Sequence, residues 1–406
     1  MLLFQHIFVT DGIRERTMKL NKIYTAILLS TLPLSVVQAA GLDRSGQSIS
    51  AFLQPGNYAD AGITVLDAEV QYKKLNVDDM AKSYYFPSAA VKVQATDNIS
   101  LGFIYDQPYG AEAEYDTTSL IFGSDGEGTS VNVKTENLTA LIGYQPNENW
   151  NFYAGPIWQT VEADIKLRGA AYGNTGYNVE VEKEQAWGWI AGLAYQIPEI
   201  ALKAAITYRS EIQHDARANQ SSNISIPAGL LPHLPAGVPT SRTDSVDATT
   251  PQSVNLDFQT GIAKDTLAFA NVRWVHWSQF AVKPSLLGDL SEIQDPGNRQ
   301  NLIDYSDDQW SANLGVGHKF TSKWSGSVTL GYDSGAGNPV TTLGPVEGYW
   351  SVGLGGQYSP AENYFIQAGV KYFWLGDAQA QTGSTIVGDF EDNHAMGYGL
   401  KIGYRF

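Results

Sequence analysis

The residues that could supply acid–base, nucleophilic or metal chemistry are few in this chain. Cysteine is absent, which excludes thiolate catalysis and a disulfide framework. Asp215 follows His214, but adjacent residues on a strand point to opposite faces, so the two would form a poor acid–base pair. The histidines have no spacing typical of a metal site; they are His6, His214, His233, His276, His318 and His394. The sequence therefore predicts no enzyme, no metal site and no cofactor.

Charged residues that could contact a ligand lie on one face of two segments with the period of a β-strand. In segment 199–213 apolar and polar residues alternate, and Arg209 and Glu211 fall on the polar face. In segment 363–376 Lys371 falls opposite a face of aromatic and aliphatic residues. Arg209 and Lys371 are therefore candidates for contact with a ligand. The alternative is an electrostatic network, such as an Arg209–Glu211 pair, that braces the protein interior.

The last eleven residues show what kind of element carries such side chains. From Met396 to Phe406 apolar and aromatic residues occupy every second position, and glycines, Lys401 and Arg405 occupy the others. A strand in a lipid bilayer needs this pattern, because one face contacts acyl chains and the other faces a polar lumen. A terminal Phe also resembles the signal that outer-membrane assembly machinery binds. We therefore predict an outer-membrane β-barrel in which Phe406 contacts that machinery.

The amino-terminal region has the composition of a secretory signal peptide. Residues 18–39 combine a short basic start, an apolar run and a small-residue cleavage pattern that ends at Ala39. A membrane-spanning helix is disfavoured because the apolar run is short and contains Pro33. We interpret residues 1–17 as upstream sequence from a misassigned start. Residues 40–61 alternate poorly, and we interpret them as a hatch, or plug, that folds into the lumen.

Residues 62–406 are predicted to form one all-β domain, a single fourteen-stranded antiparallel transmembrane barrel. Tight turns alternate along the chain with longer loops, as short periplasmic turns and longer external loops do in such barrels. Aromatic residues beside the short turns would form a girdle at the inner membrane interface. The predicted strands are 62–74, 84–96, 99–107, 130–145, 151–167, 178–197, 199–213, 246–262, 266–280, 305–320, 324–334, 346–358, 363–376 and 394–406.

Composition limits the partners of the chain. Aromatic residues make up 12% of it and charged residues 17%, which suits strands that are half exposed to lipid. The net charge is −16, which excludes nucleic acid as a partner because phosphate binding needs a basic surface. Acidic loops are compatible with lipopolysaccharide bridged by divalent cations. The predicted location is therefore the bacterial outer membrane, with its lipid and lipopolysaccharide as neighbours.

The predicted loop at 214–245 interleaves aliphatic residues with prolines. Leu230, Leu231 and Leu234 are its central aliphatic residues. Exposed apolar side chains in a loop often mark an interaction surface, so these leucines are candidates for contact with a hydrophobic ligand. The alternative is a loop that packs its apolar residues against one another.

Five short motifs resemble, in the same order along the chain, those of one known family. The most specific are Ala-Ile-Thr-Tyr-Arg-Ser-Glu at 205–211 and Trp-Val-His-Trp-Ser-Gln-Phe at 274–280. The others lie at 40–42, 83–90 and 108–115. They resemble the FadL-type long-chain fatty-acid transporters, a family that also includes aromatic-hydrocarbon channels. The resemblance implies a monomeric barrel with an amino-terminal hatch, an external apolar groove and a side opening where the third strand kinks.

The resemblance assigns candidate roles to two short segments. The family hatch carries Asn-Pro-Ala, and the nearest substitute here is Gln-Pro-Gly-Asn. At the kink, a glycine can adopt backbone angles that break strand pairing. The hatch residues are Gln54, Pro55, Gly56 and Asn57, and the residues of the lateral opening are Pro108, Tyr109 and Gly110.

It also implies where a ligand would bind. Arg168 lies near the position at which the family places a basic residue for the ligand head group. Tyr172 lies in the loop that would form the capture groove together with the loop at 214–245. Leu230, Leu231 and Leu234 would then contact the ligand directly.

We expect passive uptake of hydrophobic small molecules across the outer membrane, with long-chain fatty acids as the first candidates. An aromatic-hydrocarbon channel of the same family is one alternative. A general diffusion porin is another, and it would need a charged constriction folded into the lumen. A barrel enzyme that acts on lipid is the third, and it would need a Ser/His or Asp/His arrangement near one rim.

Overall fold

The computed structural model describes residues 42–72 and 77–406. The predictions for residues 1–17 and for the signal peptide at 18–39 lie outside these ranges. Within them the chain is mostly β-structure, with one α-helix, α1 (Ser285–Gln294). No helix in the described ranges is long and apolar enough to cross a membrane.

The strands follow one another with short connections at one end and longer connections at the other. Over the first half of the described chain they are β1 (Tyr58–Glu69), β2 (Tyr84–Gln94), β3 (Ile99–Asp106), β4 (Gly110–Glu114), β5 (Gly123–Ser124), β6 (Glu127–Gly128), β7 (Ser130–Tyr144), β8 (Trp150–Leu167), β9 (Tyr177–Ile197), β10 (Leu202–Arg209), β11 (Ile212–Ser221) and β12 (Ser241–Thr250). Over the second half they are β13 (Ser253–Ala263), β14 (Thr266–Val275), β15 (Ala281–Val282), β16 (Ile303–Asp304), β17 (Gln309–Lys319), β18 (Trp324–Asp333), β19 (Val340–Thr341), β20 (Tyr349–Ala361), β21 (Tyr364–Leu375), β22 (Ala378–Thr382), β23 (Thr385–Phe390) and β24 (His394–Arg405).

The longer strands form one antiparallel sheet that closes on itself. β24 pairs with β1 from Arg405 opposite Tyr58 to His394 opposite Glu69, which completes the ring. β3 and β4 share one position in the wall, as do β10 and β11, and β12 and β13, so the barrel has fourteen strand positions, as predicted. Closure pairs both edges of the sheet, which a wall in lipid requires because no water is there to satisfy backbone groups.

Side chains alternate between lipid and lumen as the carboxyl-terminal pattern predicts. On β24, Tyr398 and Leu400 face outward, whereas Lys401 faces the lumen with its Nζ 3.2 Å from Asp60 Oδ2. Outward aromatic residues gather towards both ends of the wall, in belts typical of outer-membrane barrels. The inner belt includes Tyr144, Trp150, Phe320, Trp324 and Tyr404, and the outer belt includes Tyr85, Trp187, Trp310, Trp350 and Trp374.

The first strand begins earlier than predicted, at Tyr58 instead of residue 62. Residues 58–61 alternate poorly by hydrophobicity because small alanines occupy the lipid face and a carboxylate occupies the lumen face. That carboxylate, Asp60, accepts a hydrogen bond from Tyr58 Oη at 2.8 Å and pairs with Lys401. The predicted hatch therefore ends at residue 57, and we use the name hatch for residues 42–57.

The seventh wall position is interrupted, and the interruption corrects one predicted side-chain direction. Odd-numbered residues face the lumen in β10, including Arg209, but even-numbered residues do so in β11. Residues 210 and 211 lie between these strands, so the parity shifts there and Glu211 is exposed. β11 and β12 then form a hairpin, which shortens the predicted loop at 214–245 to residues 222–240, here called the apolar loop.

The loops fold over the external end of the barrel and share one apolar cluster with the upper lumen. Leu234 and Val238 of the apolar loop, Leu286 of α1 and Phe86 of the wall all belong to it. His233 Nε2 also lies 3.0 Å from Glu292 O, which joins the apolar loop to α1. The lumen is therefore filled by apolar side chains on the external side and by the hatch below them.

Candidate functional site

The hatch packs against the inside of the wall at a place where two wall residues are glycines. Its backbone makes a short turn in which Phe52 N donates to Ile49 O at 3.0 Å. The Phe52 ring packs against Gly102 of β3 and Gly143 of β7, which lie diagonally across this strand pair. A Cβ at Gly102 would lie 2.5 Å from Phe52 Cδ2, and a Cβ at Gly143 would lie 2.9 Å from Phe52 Cζ. Two neighbouring glycines thus provide the space that the ring fills.

Wall lysines hold the end of this turn through its backbone. Lys92 Nζ donates to Gln54 O, and Lys203 Nζ donates to Leu53 O, both at 2.6 Å. Both lysines are buried. The predicted hatch residues Gln54 to Asn57 follow, and Pro55 and Gly56 are exposed. Asn57 Oδ1 accepts the Gln94 N–H at 2.8 Å, so this stretch joins the hatch to the wall.

A buried ion pair clamps the start of the hatch to the opposite wall. Arg273 Nε lies 2.7 Å from Asp43 Oδ2, and both residues are buried. Arg273 Nη2 donates to Gln47 Oε1 at 3.0 Å, and Nη1 donates to Asn255 Oδ1 at 2.7 Å. Trp274 faces outward, so strand alternation predicts that the adjacent Arg273 faces the lumen. Nothing in the sequence, however, identifies Asp43 as its partner.

Arg209 contacts the hatch and not Glu211. It faces the lumen as predicted, and its Nη2 donates to Gln47 O. The alternative of an Arg209–Glu211 pair is wrong, because the parity shift turns Glu211 to the surface. Direct contact between Arg209 and a ligand stays a prediction.

One side of the barrel wall is open where the chain bends between β3 and β4. β3 pairs with β2 only from Ala89 to Gln94, and β4 pairs with β7. Above the bend, a bridge between Ala81 and Ala113 rejoins the two sides. We call the opening between β2 residues 84–88 and residues 106–110 the wall gap. It falls at Pro108, Tyr109 and Gly110, the residues predicted to form the kink.

The hatch begins directly against the wall gap. Arg44 N donates to Pro108 O at 2.6 Å, and Gly110 N donates to Leu42 O at 2.8 Å. Ser45 Oγ donates to Asp106 Oδ2 at 2.5 Å. The hatch therefore covers the wall gap from the lumen side.

Tyr109 extends from the wall gap across the lumen. Its backbone N–H donates to Thr135 Oγ1 at 2.9 Å, and its Oη donates to Pro251 O at 3.3 Å. Pro251 lies between β12 and β13, in the interruption of the eighth wall position. The Tyr109 ring also packs edge-on against Trp277, with 5.5 Å between ring centroids. Two irregular parts of the wall are thus connected through one side chain.

The three candidate leucines of the apolar loop have different environments. Leu230 is 62% exposed, Leu231 is half-buried and Leu234 is 6% exposed. A β-bridge joins Leu231 to Leu234, and Leu234 packs into the external apolar cluster. The loop therefore packs against itself through Leu231 and Leu234 and presents Leu230 to the outside. Contact of these leucines with a ligand stays a prediction.

Arg168 is engaged by protein groups through all five of its N–H donors. Nε and Nη2 bind Glu127 Oε2 at 3.0 and 2.7 Å. Nη1 donates to Leu167 O and Tyr177 O, and Nη2 also donates to Asn178 Oδ1. Hydrogen bonds from this guanidinium and from a neighbouring lysine lower the pKa of Glu127, which keeps the ion pair charged. A ligand head group would have to displace Glu127.

Tyr172 lines a small cavity beneath the external loops. The cavity has a volume of about 60 Å³, and polar residues such as Gln300, Asp304 and Thr341 line it together with Leu167, Leu287 and Leu302. Tyr172 Oη hydrogen-bonds to Thr342 Oγ1. Burial raises the pKa of Tyr172, so its hydroxyl stays protonated. A space of this size fits water or the end of an alkyl chain, not a whole long-chain ligand.

Lys371 faces the lumen from β21, as predicted. Its Nζ donates to Asn313 Oδ1 at 2.9 Å and lies 5.3 Å from the centroid of Phe373. The side chain is buried. The Asn313 amide is a neutral partner, and the Ser351 hydroxyl and the Asp333 carboxylate lie near the same amine. Contact between Lys371 and a ligand carboxylate stays a prediction.

In the part of the chain that the structure describes, His214 does not form a catalytic arrangement with a nucleophile. His214 Nδ1 lies 2.5 Å from Glu184 Oε2 and its Nε2 lies 2.8 Å from Gln159 Oε1, while Asp215 is exposed. Neither ring nitrogen is left for a hydroxyl group. In the described ranges no group of three or more His, Cys, Asp or Glu side chains could hold a metal ion.

A serine, a histidine and an aspartate do meet at the external rim. Ser278 Oγ donates to Asp308 Oδ1 at 2.6 Å, and His276 Nδ1 lies 2.8 Å from the same oxygen. Burial acts to raise the pKa of Asp308, but hydrogen bonds from Ser278 and His276 outweigh burial and lower this pKa. The serine thus donates to the carboxylate, whereas a nucleophile would have to donate to the imidazole.

Comparisons with known proteins agree with this geometry. Residues 40–406 match the family model described as outer membrane protein transport protein (OMPP1/FadL/TodX). The chain is 20% identical over 401 residues to the long-chain fatty acid transport protein of Salmonella typhi, covering 91% of this chain and 88% of that protein. It is 20% identical over 411 residues to the protein of the same name from Escherichia coli K12, with 91% and 89% covered.

Solved structures show the same fold at low sequence identity. A Pseudomonas aeruginosa FadL homologue matches with a TM-score of 0.69 and 14% identity, covering 88% of this chain and 92% of that one. The Pseudomonas putida toluene transporter TodX matches with a TM-score of 0.63 and 13% identity, covering 91% and 96%.

Proposed function

The chain belongs to the OMPP1/FadL/TodX family of outer-membrane transport proteins, and from that premise we propose that it takes up long-chain fatty acids passively across the outer membrane. The observation that carries the proposal is the filling of the lumen. Apolar side chains occupy its external half and the hatch lies below them. A general porin needs an open polar passage, whereas a lumen of this kind favours a hydrophobic ligand.

The proposed route uses the elements in order from the outside. Leu230 offers an apolar surface to a ligand in water or in lipopolysaccharide, and Tyr172 lines the first internal space. Lys371 and Arg209 supply buried positive charge deeper in the lumen. Movement of the hatch would then uncover the wall gap at Pro108, through which the ligand would leave sideways.

We propose long-chain fatty acids as the first candidate ligands because of the names of the relatives. The relatives from Salmonella typhi and Escherichia coli K12 are long-chain fatty acid transport proteins, and each match covers 91% of this chain. TodX, which has the same fold, is a toluene transporter, so aromatic hydrocarbons are the second candidate. Buried cations in the lumen favour a ligand that carries a carboxylate.

We propose the remaining partners and segments on weaker support. The family transports molecules and does not modify them, so we propose no enzymatic activity and no cofactor. The barrel would act as a monomer in contact with lipopolysaccharide, with Phe406 bound by the assembly machinery during insertion. Residues 18–39 would be removed as a signal peptide, and the family match that begins at residue 40 supports this division.

Uptake by cells that lack their own fatty-acid transporter tests the proposed function. Such cells, producing this protein, should grow on oleate as sole carbon source and accumulate radiolabelled oleate faster than cells with an empty vector. Uptake of toluene and of a small sugar is measured beside it. Sugar uptake without oleate uptake would favour the porin, and toluene uptake alone would favour the hydrocarbon channel.

A further inference from the structure

The guanidinium of Arg44 spans the wall gap on its lumen side. It lies over the Tyr84 ring, with 4.0 Å from Cζ to the ring centroid, at the β2 edge of the gap. At the other edge, a Cβ on Gly110 would lie 2.4 Å from Arg44 Cζ. The absence of a side chain at Gly110 therefore makes room for the guanidinium. Arg44 itself is only 4% exposed.

This guanidinium has unused hydrogen-bond donors. Arg44 Nε and Nη2 are buried and have no hydrogen-bond partner among the described residues. Arg168, by contrast, uses all five of its donors on protein groups. The Tyr84 side chain and the Glu112 carboxylate lie near this guanidinium, but neither gives Nε or Nη2 an acceptor. Buried donors of a charged group without an acceptor are costly, so binding of a ligand anion to these two donors would be favourable.

On the premise that the protein carries fatty acids, we propose that Arg44 binds the ligand carboxylate at the wall gap. A carboxylate can accept two parallel hydrogen bonds from a guanidinium, and such charge-assisted bonds are the strong ones. Nε and one Nη of Arg44 provide the donor pair for this geometry.

The level of the wall gap in the membrane agrees with this assignment. Tyr85, next to Tyr84, faces outward in the outer aromatic belt and is 68% exposed. Such belts lie at the membrane interface, where the head group of an amphiphile also lies. A fatty acid that leaves through the wall gap would therefore have its carboxylate beside Arg44 and its alkyl chain deeper in the lipid.

The same contact would connect the ligand to the hatch. Arg44 N donates to Pro108 O at 2.6 Å, so its backbone belongs to the part of the hatch that covers the wall gap. A carboxylate bound to the Arg44 side chain would compete with the packing of the guanidinium on the Tyr84 ring and against the Gly110 backbone. Binding of the ligand and release of the hatch from the wall gap are then linked through one residue.

Equilibrium binding of oleate and methyl oleate tests the assignment, because the two differ only in the charge of the head group. Both are measured on the purified full-length protein in neutral-detergent micelles. Arg44→Gln should weaken oleate binding by about tenfold, equivalent to about 1.4 kcal/mol. Methyl oleate binding should stay close to that of the wild type. Arg44→Lys should recover part of the oleate affinity.

Gly110→Ala gives a second route that leaves the hatch sequence intact. The added methyl group displaces the guanidinium, so oleate binding should fall while methyl oleate binding is kept. Gly356→Ala is the matched control, since a Cβ there comes no closer than 4.0 Å to its neighbour. This variant set also decides the matter if Arg44→Gln fails to assemble.

The outcomes separate this proposal from the proposed function. If the wild type binds oleate and both Arg44→Gln and Gly110→Ala bind it equally well, Arg44 is not the carboxylate site. Equal weakening of oleate and methyl oleate would likewise overturn the assignment, because Arg44 would then only support the hatch. A wild type that binds neither ligand would overturn the proposed function, and this inference with it.

Discussion

Removing Arg273 should release the hatch. Arg273→Met keeps the length of the side chain but leaves Asp43, which is fully buried, without its partner at 2.7 Å. Breaking a buried pair by removing one partner costs about 3–5 kcal/mol. At about 1.4 kcal/mol per power of ten, the equilibrium between seated and released hatch should shift by about two to three and a half powers of ten.

Conductance in planar bilayers measures this shift directly, because a released hatch unblocks the lumen. Arg273→Met should show larger or more frequent openings than the wild type, with normal heat-modifiable barrel yield. Adding Asp43→Asn should restore most of the closed state, since no buried charge remains unpaired. Lys401→Met, which removes the Lys401–Asp60 pair of the wall, is the matched control and should conduct like the wild type.

Two results would refute the reasoning. Unchanged conductance in Arg273→Met, with the protein correctly assembled, would mean that the ion pair does not hold the hatch. Equal conductance of the single and double variants would mean that the unpaired carboxylate is not the cause of release.

Three further predictions concern the ends and the external surface. Deleting residues 40–56 should leave the barrel assembled and raise its conductance, because the ladder closes without them; unchanged conductance would remove the plug role. Leu230→Ser should weaken oleate uptake, since an aliphatic side chain fully buried against a ligand contributes about 1.5–3 kcal/mol. Ile386→Ser, which changes an exposed aliphatic residue of β23, should not weaken it; equal uptake in both variants would exclude ligand capture by Leu230. Phe406→Asp should lower the yield of heat-modifiable barrel in outer-membrane fractions, because it puts charge on an outward face; a normal yield would contradict contact with the assembly machinery.

Strand alternation predicted the wall well because it depends only on neighbouring residues. Tyr398 and Leu400 face lipid and Lys401 faces the lumen because each residue on a strand reverses direction. The same rule failed at Glu211, where the strand is interrupted at residues 210 and 211 and the parity shifts. It also failed at residues 58–61, where alanine on the lipid face hides the period.

The contacts of the hatch could not be predicted in the same way. Arg273 and Asp43 are 230 positions apart in the chain, and only the closed barrel brings them together. Arg168 shows the opposite problem, because the family resemblance suggested a ligand whereas Glu127 and backbone carbonyls already accept hydrogen bonds from it. Sequence alternation gives the direction of a side chain but not its partner.

The way in which the wall holds the hatch bears on how this segment can evolve. Lys92, Lys203 and Arg209 all bind backbone carbonyl oxygens, which every amino acid provides. Substitutions along that stretch therefore leave the attachment points in place, whereas a change in the wall lysines would remove them. Substitutions should therefore accumulate faster in the hatch than at Lys92, Lys203 and Arg209, the wall residues that bind its backbone.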